Sequence, residues 1–125
     1  MLNRQRPVNL DLARLSYPPM AIVSILHRIS GLVLFLFLPV VLYFFGLSLQ
    51  SSASFFDAHT LLAKPLGAFF LWAFGSALLF HVLAGVRHLM MDLGFGESLV
   101  AGRRSSVVVL VLAVGLSLGL GAFLW

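Results

Sequence analysis

The chain has 125 residues, 61% hydrophobic and 10% charged, with a formal net charge of +4 and a mean hydropathy of +1.07. A water-facing surface takes about a quarter of its residues charged, so a soluble globular domain is excluded and most of the surface must face lipid. The lack of cysteine excludes disulfides, iron–sulfur ligation, thiolate metal sites and covalent CxxCH haem attachment. The eight Lys and Arg flank apolar runs instead of forming one patch, so anchoring and topology account for them and nucleic-acid binding is rejected.

Residues 1–20, including RPVNLDLARLSYPP, mix charge, proline and apolar side chains and read as a cytoplasmic or interfacial segment. They do not read as a cleaved signal peptide: the apolar run that follows starts too late, is too long and has no small-residue cleavage site. Three runs without formal charge come next, at 29–49, 65–86 and 105–125. Each is long enough to cross a hydrocarbon core of ~30 Å as a helix, and only a helix satisfies its own backbone there. The expectation is an all-α membrane protein of one domain, 1–125, with spans at about 21–49, 64–91 and 104–125. Pro39 should kink the first span, and Pro65 should open the second. SLQSSASFFDAHT, with His59, is read as the first loop, and the glycine-rich stretch 92–104 as the second. Arg4, Arg6, Arg14 and Arg28 precede or open the first span, and Arg87, Arg103 and Arg104 flank the second loop, whereas the first loop has only Lys64. The positive-inside rule then puts the N-terminus and second loop in the cytoplasm, with Trp125 anchoring at the opposite interface. Met90 and Met91 read as packing residues, and Gly115-x-x-x-Gly119 as a weak close-packing motif.

Polar residues within the spans carry the functional signal, because each costs about 2.5–3.5 kcal/mol or more at the bilayer centre. In SILHRISG, Ser24, Arg28 and Gly31 share a helix face and His27 lies beside Ser24. Two readings stand: a snorkelling arginine at a polar helix start, or a site for an anionic or carbonyl-bearing ligand. In HVLAGVRHLMMD, His81, Gly85, His88 and Asp92 follow one helical stripe, with His81 about 9 Å of helical rise from Arg87. Ala77 and Gly85 on that stripe leave a shallow surface around the imidazole, suited to the edge of a flat macrocycle. His81 is therefore an axial haem ligand, a histidine hydrogen-bonded to a neighbouring helix, or a proton relay; the flanking small residues favour the first.

RPVNLDL, SILHRISG and HVLAGVRHLMMD together resemble the cytochrome b membrane-anchor subunit of succinate dehydrogenase, respiratory complex II, over nearly the whole chain. The resemblance implies an anchor in the bacterial inner membrane. It would pack with a second small anchor subunit into a helical bundle and dock an iron–sulfur subunit and a flavoprotein on the cytoplasmic side. It implies one haem b shared between the two anchors, with His81 as axial ligand and His27, Arg28 and His88 near the propionates. It implies a ubiquinone site with Ser24, Ile25 and Arg28, while succinate oxidation takes place on other subunits. No other span of this chain offers a good second axial ligand, so the partner anchor should supply it. Rival readings are a fumarate reductase anchor, a cofactor-free structural anchor and, least, a small transporter subunit.

Overall fold

The computed structural model describes residues 17–125, so the segment carrying RPVNLDL, Arg4, Arg6 and Arg14 lies outside the described residues. Among the described residues four helices follow one another: α1 (Pro19–Ser48), α2 (Ser52–Leu62), α3 (Pro65–Asp92) and α4 (Leu99–Leu124). α1, α3 and α4 are long and apolar enough to cross a membrane, and they are the three helices expected from the charge-free runs. The protein is an all-α, multi-pass membrane protein.

α1 and α3 both open on proline in the first turn, where its missing N–H is no loss. α1 runs without interruption through Pro39. That proline leaves the Phe35 carbonyl without its helical donor, on an exposed stretch of the helix. With 30 residues, α1 rises about 45 Å, well beyond a ~30 Å hydrocarbon core. Its ends therefore lie in the interfacial zones.

Two connections differ from the sequence reading. The first loop contains a helix, α2, started by a capping box in which the Ser51 hydroxyl accepts from Ser54 N–H and the Ser54 hydroxyl accepts from Ser51 N–H. His59 is thus a helical residue. α2 abuts α3 at Gly67, where a Cβ would run into the Leu61–Leu62 backbone. The second connection is shorter than expected, because α4 starts at Leu99 and carries Arg103 and Arg104 in its first turns. α3 ends in a Schellman turn: Phe95 N–H bonds the Met90 carbonyl and Gly94 N–H the Met91 carbonyl. Gly94 takes φ +87° there, a conformation that a side chain would strain. The Ser98 hydroxyl caps α4 by accepting from Ala101 N–H.

α1, α3 and α4 all pack on one another, with α3 antiparallel to both. Arg28, Arg87, Arg103 and Arg104 consequently gather at one end of the bundle and Lys64 at the other. Most of the buried side chains are small: Ser30, Ala58, Ala68, Ala84, Ser106 and Ala113, with Val23 and Val109. Small residues let helix backbones approach in lipid, where association depends on packing and not on exclusion of water. Two polar ties hold α3 to α4. Trp72 Nε1–H donates to the Ser117 carbonyl at 2.9 Å. Arg87 donates from Nε to Ser105 Oγ at 2.9 Å and from a terminal nitrogen to the Gly102 carbonyl at 3.2 Å. Arg87 is therefore a clamp between helices as well as a topological charge. Arg87→Leu is expected to destabilise this hairpin by about 1.5–3 kcal/mol, the range for hydrogen bonds to a charged group. Lower membrane levels of the chain and an earlier thermal transition of the solubilised protein would register that loss; an unchanged transition would remove the clamp from the account.

Gly115 and Gly119 pack on nothing among the described residues: a Cβ at either would meet no atom within 4 Å there. The pair faces outward and does not bring α4 against a neighbour here. Trp125 is exposed, its ring meeting Trp72 edge-on at 6.5 Å.

Candidate functional site

The two polar clusters meet across the α1–α3 seam. His27 and His81 stack with ring centroids 4.2 Å apart and planes inclined by 24°, and His88 lies beyond His27 at 6.4 Å. Glycine makes this approach possible on both helices. His81 sits over Gly31, where a Cβ would come within 3.1 Å of Cε1, and His27 sits over Gly85, where a Cβ would come within 3.4 Å of Nε2. Each imidazole occupies the space that a side chain on the facing helix would fill. The shallow surface at Gly85, read from sequence as open to a macrocycle, is taken by His27 of the same chain. Spacing along α3 locates a small residue but does not say what lies against it.

The His81 ring is held through Nδ1. This nitrogen lies 3.0 Å from Ser30 Oγ and 3.2 Å from the His27 carbonyl oxygen, while the Ser30 hydroxyl lies 2.8 Å from the same carbonyl. The proton arrangement follows from the chemistry of the three atoms. A carbonyl oxygen only accepts, so Nδ1 beside it must carry the proton; an unprotonated Nδ1 would set two lone pairs against each other. Ser30 then gives its one proton to the His27 carbonyl and accepts from Nδ1–H. With the Nδ1 proton engaged in this way, Nε2 is the nitrogen that can offer a lone pair, as a metal-ligating histidine requires.

His27 cannot be a second ligand on the opposite side of a macrocycle bound at His81. Such a pair would point Nε2 atoms at each other across the ring plane, and these two rings lie face to face in contact. His27 Nε2 is buried and has no hydrogen-bond partner among the described residues. A buried nitrogen left so costs about 1–3 kcal/mol, and a polar group arriving with another subunit or a cofactor would relieve it.

Ser24, Ile25 and Arg28 lie on the exposed side of α1, where Ser24 and Arg28 are one turn apart. His88 and Asp92 are exposed toward the end of α3. The structure thus joins His27, His81 and Ser30 directly, extends that row to His88, and leaves Ser24, Ile25 and Arg28 on a surface open to another molecule. Ser30 stands in the SILHRISG cluster, but the sequence reading gave it no role, since its contact with His81 lies on another helix.

The sequence pattern of the succinate dehydrogenase/fumarate reductase transmembrane subunit family matches residues 2–120. The chain belongs to this family. Among its relatives, the succinate dehydrogenase cytochrome b556 subunit of Coxiella burnetii is 46% identical over 99% of this chain and 100% of its own length. The corresponding subunit of Paracoccus denitrificans is 30% identical over 90% of this chain and 86% of its own length. The mitochondrial cytochrome b560 subunit of Sus scrofa is 38% identical over 83% of this chain, which spans 62% of that longer protein.

Proposed function

We propose that this chain is the cytochrome b membrane anchor of a succinate dehydrogenase, holding haem b together with a second anchor subunit and contributing to the site that reduces ubiquinone. The observation that carries the haem reading is His81, whose Nδ1–H is engaged and whose Nε2 is left to ligate. When bound there, haem b supplies a one-electron carrier. The residues of this chain would hold and orient it: His81 as the iron ligand, with His27, Arg28 and His88 toward the propionates. The stacked His27 ring supports a second ligand from the partner anchor.

Ser24, Ile25 and Arg28 form this chain's wall of the quinone pocket. Ser24 donates to a quinone carbonyl, and Arg28 supplies positive charge as the oxygen gains electrons. Ile25 adds apolar surface, and the wall is completed by the subunit that docks there. The arginine-rich end of the bundle is cytoplasmic by the positive-inside rule, so an iron–sulfur subunit and a flavoprotein dock beside Ser24 and Arg28. The membrane is the bacterial inner membrane, as the likeness to the Coxiella subunit supports.

Affinity purification through a tag on this chain tests the assignment. A flavoprotein and an iron–sulfur protein should co-purify with it, together with a b-type reduced-minus-oxidised spectrum. Recovery of the chain with neither soluble subunit would refute the role.

A further inference from the structure

We infer that Ser30 is a positioning residue that sets the tautomer and donor strength of His81, and through them the redox potential of the group that His81 ligates. The inference rests on the reading of His81 as an axial ligand. Ser30 is 7% exposed, a hydroxyl set in the seam between two membrane helices. Its Oγ completes a closed triangle with His81 Nδ1 and the His27 carbonyl, with sides of 2.8, 3.0 and 3.2 Å. A serine in a helix commonly returns its proton to a carbonyl one turn back, and this one does so to His27. That leaves its lone pairs facing Nδ1–H, so the ring nitrogen has two acceptors.

Acceptors at Nδ1–H raise the basicity of Nε2. A more basic imidazole stabilises the ferric ion more than the ferrous ion, because the higher charge gains more from the added electron density. The triangle therefore lowers the midpoint potential. It also fixes the ring's rotation, while the stack with His27 and the contact with Gly31 fix its plane. Ser30→Ala removes one oxygen from this arrangement and leaves the stack, the carbonyl and both glycines in place.

The test is a redox titration of the assembled complex with Ser30→Ala, Ser30→Thr and His81→Leu. Ser30→Ala should retain haem at a raised midpoint potential. A tenfold loss of ferric relative to ferrous affinity corresponds to about 59 mV for one electron. Ser30→Thr keeps the hydroxyl and should restore the original value. An unchanged potential in haem-loaded Ser30→Ala would overturn the role. If Ser30→Ala loses haem altogether, retention in Ser30→Thr supports the hydroxyl, and loss in both assigns Ser30 to packing and refutes the inference. His81→Leu separates the two claims: retention of its low-spin haem would refute the ligand reading itself, whereas loss of haem there with an unshifted Ser30→Ala would refute only the inference about Ser30.

Discussion

Ser24→Ala and Arg28→Leu should each slow electron transfer to ubiquinone at least about tenfold, while succinate oxidation by an artificial dye stays near normal. The magnitude follows from the loss of a hydrogen bond to an oxygen that becomes charged, about 1.5–3 kcal/mol, where each 1.36 kcal/mol is a factor of ten in rate. The two side chains stand one turn apart on the exposed side of α1, so neither is committed to packing this chain. A quinone headgroup offers two carbonyls in an otherwise apolar body. It needs few donors, well placed, in a greasy wall. Arg28→Leu should also disturb the haem spectrum if the guanidinium reaches a propionate, whereas Ser24→Ala should leave it unchanged. The quantity to measure is the ratio of quinone to dye activity in assembled complexes. A parallel fall in both activities would make these residues part of the docking surface. No fall in either would leave Arg28 as a snorkelling charge at the helix start.

The three long helices were legible because lipid imposes a coarse rule: some twenty residues without charge, closed by arginines. The same rule obscured the helix ends. Charge-free runs mark the hydrocarbon core, whereas a helix continues into the interface, so Arg103 and Arg104 were read as loop and are helical. α2 was missed because its box uses Ser54 where the usual pattern has Glu or Gln, and because SASFFDAHTLL is too short to stand out as a span. Within the site, the His81 stripe and the His27–Arg28 pair were visible as costly polar residues in apolar surroundings. Their mutual arrangement was not. One helix's periodicity gives a face but not the neighbour on it, so neither His27 over Gly85 nor Ser30 beneath His81 could be read from spacing.

His81→Leu carries the other large expected effect. The His81 ring is held through Nδ1 by Ser30 and the His27 carbonyl, which leaves Nε2 as the nitrogen for the proposed ligation. Leucine fills comparable space and packs acceptably against Gly31, so the α1–α3 seam should survive better than with a smaller residue. What disappears is the proposed ligand. With the partner anchor's ligand alone, iron would be five-coordinate, and a low-spin six-coordinate b-type signal could not persist. Assembly should weaken as well, since a cofactor bound only by the folded state stabilises that state. His88→Leu, at the exposed end of the row, should shift the potential and keep the ligation.

The most direct test is therefore the reduced-minus-oxidised optical and low-temperature EPR spectrum of purified, assembled complex carrying His81→Leu, beside the unsubstituted complex. In the variant the low-spin haem b signal should be abolished or converted to high spin. An unaltered low-spin spectrum at full haem content in that complex would contradict ligation by His81.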